Sequence, residues 1–519
     1  MDGIRPDGQR RQLLLGSGSG VALAFAGPIA AFAARQAQAA GCRPAPASGT
    51  VSGPYGPVAP VADRSTGLPL LELPAGFACA STGWRGDRMA DGLATPRAHD
   101  GMGIVRVRGS GRSDQGQEIW LVRNHEISPQ RSADAMLVTR LAPEAARKVP
   151  TWDRGSSNER FAGGGTSTVV WRDGRWAESW LSLAGVDRPC AGGASGWGSW
   201  LANEEVRSNA ISSSGQRHGY VFEVAADSVT QGPDAQPIVA MGRMSHEASA
   251  FDPATGFWYL TEDQWNANTL YRFRPVKGDG GVGSLLAGGR LQGLAVRGRP
   301  NADLRDPTLC QRFDCEWVDV AEPDADNARL AIPGIGDVEA SGPYRQAFAR
   351  GAATFGATEG CWVAQGQVWF TDKQVDLQPA RAGRIWRLDL ATMTLEAVFV
   401  SASLQVGNSP DNLCLSPRGG VLFCEDGGSR GPGAEPPVVA QHLRLLHPDG
   451  SSSVFARHAY NFSDEQLSAA GKPAELKGDR RNTEFAGCTF APDGRTLFVN
   501  LYDPGITLAI TGPFERGPL

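Results

Sequence analysis

The sequence predicts an all-β fold: a six-bladed β-propeller with long loop insertions, formed by residues 40–519 as a single domain. Glycine and proline number 66 and 35 among 519 residues, which favours short strands joined by tight turns. A hairpin of two short apolar strands around a polar turn recurs six times, as expected of propeller blades. Helical patterns are weak and short, as in "APEAARKV" and "SDEQLSAAG".

The first 39 residues are predicted to be a twin-arginine export signal. Arg10 and Arg11 precede the apolar run "VALAFAGPIAAFAA", and an Ala-x-Ala sequence ends at Ala39. We therefore expect cleavage after Ala39, the twin-arginine export machinery as a partner, and a periplasmic or secreted protein. The alternatives are a chance arginine pair before a Sec signal, and lipidation at Cys42.

The charge balance excludes some classes of partner. Lys and Arg together number 50 against 55 for Asp and Glu, so there is no basic excess that would indicate nucleic acid.

No stretch after the signal is long and apolar enough to span a bilayer. We therefore expect no stable membrane association, and a monomer by default.

Each hairpin begins with a polar cluster and ends in an acid or amide. The segment "SHEASAFDPATGFWYLTED" at residues 245–263 is one example. The units are unevenly spaced, which predicts insertions at residues 127–165, 276–345 and 428–483.

In an exported protein disulfides are permitted, and a local bridge between Cys310 and Cys315 is predicted in one of these insertions.

The starting clusters are expected to converge, because the inner strands of a propeller run along a central channel. They would form a ring at one end of the channel: His99-Asp100, Cys190, His246-Glu247, Glu359, Asp411-Asn412 and Glu484. The acids at the hairpin ends are expected one strand farther out, where they support the ring or face the rim.

A ring of carboxylates would either take up protons or bind cations. Oxygen ligands select hard cations such as Ca²⁺, Mg²⁺ or Fe³⁺, and the thiolate of Cys190 shifts the expectation towards iron or zinc. Acids at strand ends also occur simply as solvated turns, and His125 in "RNHE" is equally well explained as a buried core histidine. No Gly-x-Ser-x-Gly sequence indicates a serine hydrolase.

The motifs, in their order, resemble those of the PhoX-type alkaline phosphatases. They include "RAHDGMG", "LVRNHE", "CAGG", "WGSWLANEE", "GRMSHEASAFDPATGFWYLTED" and "PDNLCLSPRGGVLFCED". The resemblance implies a secreted six-bladed propeller that holds Fe³⁺ and Ca²⁺ in the channel mouth and hydrolyses phosphate monoesters, with a small phosphate ester as substrate.

The resemblance also assigns site residues. Cys190 matches the iron-binding cysteine of the family, and Glu247 and Glu359 match its metal-binding acids. Asn124 and Glu126 lie in the "NHE" segment, where a catalytic contact with phosphate or metal is implied. The family motifs also contain further candidate ligands for calcium or iron: Glu204, Glu205, Glu262, Asp263 and Asp411. Glu484, the acid that begins the sixth hairpin, is a predicted metal ligand through its place in the ring.

The sequence departs from the family pattern in three places. Pro189 replaces the usual Asn before the cysteine, Asn203 replaces a Cys, and Ala357 stands where an Arg that grips phosphate is expected. These departures leave two alternatives open. One is a calcium-dependent propeller lactonase or diester hydrolase, and the other is a non-catalytic exported metal-binding propeller.

Overall fold

The computed structural model describes residues 51–109, 116–128, 149–154, 163–212, 215–227, 234–277, 280–373, 382–427 and 440–519. Strands dominate these ranges, and the predicted all-β class is confirmed. The predicted export signal at 1–39, Cys42 and residues 142–148 of the "APEAARKV" stretch lie outside the described residues.

The described part of the chain begins with three short strands, β1 (Val58–Val61), β2 (Leu71–Pro74) and β3 (Ala78–Thr82). After them come six successive groups of antiparallel strands, which we call sheets 1 to 6. Sheet 1 contains β4 (His99–Arg108), β5 (Glu118–His125), β6 (Gly164–Arg172) and β7 (Arg175–Val186). Sheet 2 contains β8 (Pro189–Ala194), β9 (Ser199–Glu204) and β10 (Val221–Ala225). Sheet 3 contains β11 (His246–Asp252), β12 (Phe257–Glu262), β13 (Tyr271–Pro275) and β14 (Gly289–Val296).

Three strands and a helix separate sheets 3 and 4: β15 (Arg312–Val320), β16 (Ala328–Ile332), β17 (Gly336–Ala340) and α1 (Gly342–Ala349). Sheet 4 contains β18 (Thr358–Ala364), β19 (Gln367–Asp372), β20 (Arg384–Asp389) and β21 (Thr394–Val400). Sheet 5 contains β22 (Pro410–Leu415), β23 (Val421–Glu425), β24 (His442–Leu446) and β25 (Ser452–His458). After β26 (Asn461–Phe462), α2 (Asp464–Ala469) and β27 (Gly478–Asp479), sheet 6 contains β28 (Phe485–Phe490), β29 (Thr496–Leu501) and β30 (Ile506–Thr511).

The first strands of the six sheets form a closed ring. Strand β4 packs against β8, β8 against β11, β11 against β18, β18 against β22, β22 against β28, and β28 returns to β4. Strand β3 pairs with β30, so the N-terminal part of the chain completes the last sheet. Such a ring of antiparallel sheets is the propeller-like arrangement that brings the starts of all six first strands to one end of a channel.

Side chains alternate between the two faces of a strand, and both faces are buried because each sheet packs against its neighbours. In β12, Trp258 and Leu260 pack with Leu201 of sheet 2, whereas Tyr259 packs with Phe370 of sheet 4. Aromatic pairs such as Phe399 of β21 with Phe423 of β23, whose ring centroids lie 5.4 Å apart at 46°, fill the space between sheets.

Two of the predicted insertions contain regular sheet strands. Strand β14 is the fourth strand of sheet 3, and β24 and β25 are the third and fourth strands of sheet 5, which β2 and β1 extend. Residues 276–345 and 428–483 are therefore only partly insertion. Strand β15 also pairs with β21 and thereby joins sheets 3 and 4 into one hydrogen-bonded sheet. Hairpin periodicity could not reveal these strands, because outer strands carry no motif of their own.

The helix predicted in "SDEQLSAAG" is confirmed as α2, which has a capping box formed by Ser463 and Gln466. The predicted bridge between Cys310 and Cys315 is wrong. Cys315 is a free, buried thiol, while Cys310 is disulfide-bonded. Cys315 lies on β15, where period-two alternation points its side chain into the core. None of the helices among the described residues has the length and apolar character needed to cross a bilayer.

Candidate metal centre

The first strand of every sheet carries a β-bulge at the same end of the channel. In sheet 3, His246 pairs with Glu262, but the next pair is Ser249 with Leu260. A bulge bends its strand and redirects the side chains within it. In five sheets the second residue of this strand is an acid or a cysteine. We call these residues the inner ring: Asp100, Cys190, Glu247, Glu359 and Asp411.

A second set of residues follows the second strand of the same five sheets. Each occupies the position directly after that strand ends, and all five line one cavity of about 670 Å³. We call them the outer ring: Glu126, Glu205, Asp263, Lys373 and Asp426.

Sheet 6 contributes differently. Gly487, with a φ of 59°, is the residue in its bulge, and a Cβ there would lie 2.5 Å from the carbonyl oxygen of Asp100. Its backbone N–H donates to Asn412 Oδ1 at 2.5 Å. Glu484, from the segment before β28, lines the cavity instead. Of the predicted starting clusters, Asp100, Cys190, Asp411 and Glu484 line the cavity, and Glu247 and Glu359 lie within 4.8 Å of Asp411. The predicted ring members His99 and His246 instead bond to the carbonyl oxygens of Pro96 and Gly242.

The acids that end the second strands point away from the cavity, because successive side chains alternate. Glu204 Oε1 lies 2.6 Å from His218 Nδ1, and its Oε2 accepts from the backbone N–H groups of Gly219 and Tyr220. Glu262 Oε2 accepts from the hydroxyl of Tyr271 at 2.5 Å. The predicted ligands Glu204 and Glu262 therefore anchor neighbouring parts of their own sheets and lie outside the cavity.

Asn124, predicted as catalytic, is also fully buried and does not line the cavity. Its amide nitrogen donates to the carbonyl oxygens of Cys190 at 2.8 Å and Ala191 at 2.6 Å. Its oxygen accepts from Trp200 Nε1 at 2.9 Å. Asn124 thus positions the strand that carries Cys190, whereas its neighbour Glu126 faces the cavity. His125 bonds to Ser167 and to the carbonyl oxygen of Arg97, as a core histidine would.

Ligand atoms of the two rings lie close enough to share cations. Four groups each bring three ligand atoms within 4.8 Å of one another. Consecutive groups share one residue, namely Cys190, Glu247 or Asp411. The groups are Asp100-Glu126-Cys190, Cys190-Glu205-Glu247, Glu247-Glu359-Asp411 and Asp411-Asp426-Glu484. An overlapping series of this kind suits several neighbouring ions with bridging ligands.

Several buried carboxylate oxygens of the rings have no hydrogen-bond donor among the described residues. Glu247 Oε2, Asp263 Oδ1 and Glu359 Oε2 accept no hydrogen bond there, and Glu359 Oε1 has only its ion pair with Lys373. Unsatisfied buried carboxylate oxygens are costly, and coordination of a cation removes the cost. The residues present therefore fit a cluster of metal ions.

The electrostatics lead to the same conclusion. Burial raises the pKa of Glu247 well above its usual value, and Glu359 and Asp411 add to the effect. Burial raises the pKa of Asp411 to about 7, although Lys373 acts in the opposite direction. Burial, with Asp100 and Glu247 adding to it, also raises the pKa of the Cys190 thiol. The carboxyls and the thiol therefore release their protons readily only when a metal cation binds in place of those protons.

The donor set combines one sulfur with many oxygens. Cys190 Sγ lies 3.3 Å from Asp100 Oδ2, at the junction of two of the four groups. The remaining ligand atoms are carboxylate oxygens, which suit hard cations, whereas a thiolate suits a softer transition metal. The arrangement accommodates more than one kind of ion.

Three basic side chains of the described residues also line the cavity. Arg188 pairs with Glu126 and Glu205, and Arg207 Nη2 lies 2.6 Å from Asp263 Oδ2. Lys373 enters from the outer ring, with Nζ 2.9 Å from Glu359 Oε1. Burial on its own lowers the pKa of Lys373, but Glu359, Asp263 and Asp411 outweigh it and raise that pKa well above its usual value. The lysine is therefore charged.

The predicted ligand set omitted Asp100, Asp426 and Lys373. Asp100 and Asp426 were part of the recurring clusters, and aligning the five hairpins by their second strands would have identified the outer-ring position directly. Lys373 and Arg188 could not be predicted from a ligand pattern, because basic side chains do not bind cations. Which member of the Glu204-Glu205 or Glu262-Asp263 pair faces the cavity depends on where the strand ends, which sequence patterns locate only approximately.

Metal-free protein is expected to become less stable as the pH rises from 5 to 8. The folded state holds protons on carboxyls with raised pKa values, such as Glu247 and Asp411, which the unfolded chain releases near pH 4, so unfolding is favoured as the pH passes through this window. We expect a fall in melting temperature on the order of 5 °C after chelation, measured by calorimetry. Adding Ca²⁺ at pH 8 should reverse it; a flat or rising profile of the chelated protein would contradict this prediction.

The buried cluster around His218 supports a separate prediction. Burial on its own lowers the pKa of His218, but Glu204 and Asp153 outweigh it and raise that pKa to about 10. His218→Ala should lower the free energy of unfolding by about 3 kcal/mol at pH 6, because it leaves Glu204 buried without its cation. The loss should shrink as the pH approaches 10, where the histidine loses its charge. Denaturant unfolding at the two pH values, with unchanged metal content at pH 8 as the control, tests this.

The comparisons with known proteins agree with this geometry. The model of the family described as "Alkaline phosphatase PhoX" matches residues 53–180 and 176–505. The structure of Pseudomonas fluorescens PhoX in complex with vanadate, a transition state analogue, is similar at 17% identity and a TM-score of 0.56, over 89% of this chain and 98% of that chain. That likeness shows a shared fold.

A gluconolactonase from Xanthomonas campestris is similar at 12% identity and a TM-score of 0.35, over 80% of this chain and 97% of that chain. A similarity this weak supports no argument about activity. No curated protein matches the sequence.

Proposed function

The chain belongs to the alkaline phosphatase PhoX family, and on that basis we propose that it hydrolyses phosphate monoesters at an iron and calcium cluster held by the two rings. The family assignment makes the chain a metal-dependent phosphatase and a phosphoric ester hydrolase. We propose three further points: the ions are iron and calcium, the substrates are monoesters, and the residues of the two rings bind the ions.

The observation that carries the proposal is the overlapping series of ligand groups around Cys190, Glu247 and Asp411. Cys190 would take part in binding iron, since its sulfur is the softest ligand in the cavity. Glu359, Asp411, Asp426 and Glu484 offer only oxygens and would take part in binding calcium.

Bound metal ions would neutralise the charge of a phosphoryl group and stabilise the transition state of its transfer. The protein's own residues would prepare the site for this. Asn124 fixes the backbone at Cys190 through its two donated hydrogen bonds. Arg188 and Arg207 stand at the rim, 41% and 38% exposed, where they would attract an anionic substrate.

Ala357 stands where the family resemblance expects an arginine. It is fully buried, and its carbonyl oxygen accepts from the backbone N–H of Lys373 at 3.0 Å. The position therefore offers no side chain to a phosphate group, and the basic groups that would attract the substrate are Arg188 and Arg207.

We also propose that the protein is exported by the twin-arginine route and acts in the periplasm or outside the cell. The support is the sequence of residues 1–39, with Arg10 and Arg11 before an apolar run. Fractionation of cells that carry the Arg10→Lys, Arg11→Lys variant tests this. The wild type is expected outside the cytoplasm and the variant inside it.

A substrate panel tests the proposed activity. Chelated protein would be reloaded with iron and calcium, and rates would be compared for a phosphomonoester, a phosphodiester and a lactone. We expect at least about 10²-fold preference in kcat/KM for the monoester, and loss of that activity when iron is withheld. Equal diester rates, or lactone hydrolysis supported by calcium alone, would replace the proposal with the alternative hydrolase.

A further inference from the structure

Lys373 interrupts the pattern of the two rings. The ten ring positions of sheets 1–5 hold eight carboxylates and the thiol of Cys190, and Lys373 is the single basic residue among them. The four equivalent outer positions hold an acid: Glu126, Glu205, Asp263 and Asp426. A residue of opposite charge therefore occupies a ligand position in sheet 4.

The ammonium group of Lys373 lies among carboxylates as a bound cation would. Nζ is 2.9 Å from Glu359 Oε1, 3.5 Å from Asp426 Oδ2, 3.7 Å from Asp411 Oδ2 and 4.0 Å from Asp263 Oδ2. These four acids come from sheets 3, 4 and 5, so the lysine bridges three sheets. Glu359, whose side chain is fully buried, holds Oε1 against this ammonium group, and its Oε2 accepts no hydrogen bond within the described part of the chain.

The two arginines of the cavity, Arg188 and Arg207, are more exposed than Lys373 and lie outside the two rings. Arg188 and Arg207 begin outside the rings and are 41% and 38% exposed, so they can swing into solvent when metal ions bind. The side chain of Lys373 is 19% exposed and begins inside the outer ring. Its charge cannot leave the cavity so easily, because the carboxylates around it would then lose their counter-ion.

We propose that Lys373 is a protein-borne cation that occupies one cation position of the cluster, between Glu359, Asp411 and Asp426, so that this chain binds one metal ion fewer than its rings would otherwise accept. This inference rests on the proposed metal cluster. An ammonium and a Ca²⁺ ion compete for the same carboxylate oxygens and repel each other at this distance. Replacing the lysine by an acid restores the ligand that the other four sheets supply.

The test is the number of Ca²⁺ ions bound per chain, measured on chelated full-length protein by equilibrium dialysis and elemental analysis. Lys373→Asp is expected to bind one ion more than the wild type, and Lys373→Met, which removes the charge without adding a ligand, also one more. Lys373→Arg, which keeps a cation, is expected to bind the same number as the wild type. Arg207→Asp is the matched control, because it changes the charge at the mouth equally but from outside the rings.

The outcomes separate clearly. One additional ion in Lys373→Asp and Lys373→Met, with none in Lys373→Arg or Arg207→Asp, supports the inference. The wild-type number in both Lys373→Asp and Lys373→Met overturns it, and so does an additional ion in Arg207→Asp, since the effect would then be one of general charge. If Lys373→Asp does not fold, as judged by circular dichroism, Lys373→Met alone decides. Phosphatase assays on the same samples report separately on the proposed function.

Discussion

Glu247→Gln is expected to remove most of the bound metal and to lower the phosphomonoesterase rate by about 10³-fold. Glu247 belongs to two of the four ligand groups, so its loss weakens two neighbouring ion positions together. Metal ions supply several kcal/mol of transition-state stabilisation, and each 1.4 kcal/mol corresponds to a tenfold change in rate. Elemental analysis and steady-state kinetics of the purified variant measure both effects.

Glu262→Gln is the matched control for this prediction. Glu262 is another buried glutamate of sheet 3, but it bonds to the hydroxyl of Tyr271 and lies outside the cavity. We expect this variant to keep its metal content and rate. If Glu247→Gln retained wild-type metal content and activity, the rings would not be the catalytic centre.

Cys190→Ala is expected to lose iron selectively while calcium is retained, with a fall in phosphatase rate of at least about 10²-fold. Among the residues of the four ligand groups, Cys190 is the only one that offers sulfur, and it links two of the groups. Removal of the thiolate leaves oxygen ligands, which still suit calcium. The iron-to-calcium ratio of the purified variant is the direct readout.

Cys361→Ala provides the comparison for Cys190→Ala. Cys361 is likewise a free, buried cysteine on the first strand of its sheet, two residues beyond Glu359, and it packs in the apolar core. It should change stability slightly and the metal ratio not at all. Equal iron content in Cys190→Ala and wild type would show that sulfur is not a ligand.

Repetition made the inner ring predictable. Because the same hairpin recurs, the sequence alone predicts that the clusters around Asp100, Cys190, Glu247, Glu359 and Asp411 lie at one end of a channel. The all-β class followed from the same pattern and from the many glycine and proline residues.

The outer ring was harder to predict, because it depends on single-residue register. Glu204 and Glu205 are adjacent and chemically alike, yet one accepts hydrogen bonds within its sheet and the other faces the cavity. The period-two alternation of a strand decides between them only once its last residue is fixed. The "NHE" segment presents the same difficulty. Asn124 is buried and bonds to the strand that carries Cys190, whereas Glu126, two residues later, lines the cavity.

The metal content of the purified, unreconstituted protein tests the central claim most directly. The two rings predict that elemental analysis finds both iron and calcium. Replacement of Cys190 is expected to remove the iron and leave the calcium bound. Protein that hydrolyses a phosphomonoester yet contains neither iron nor calcium would contradict the account.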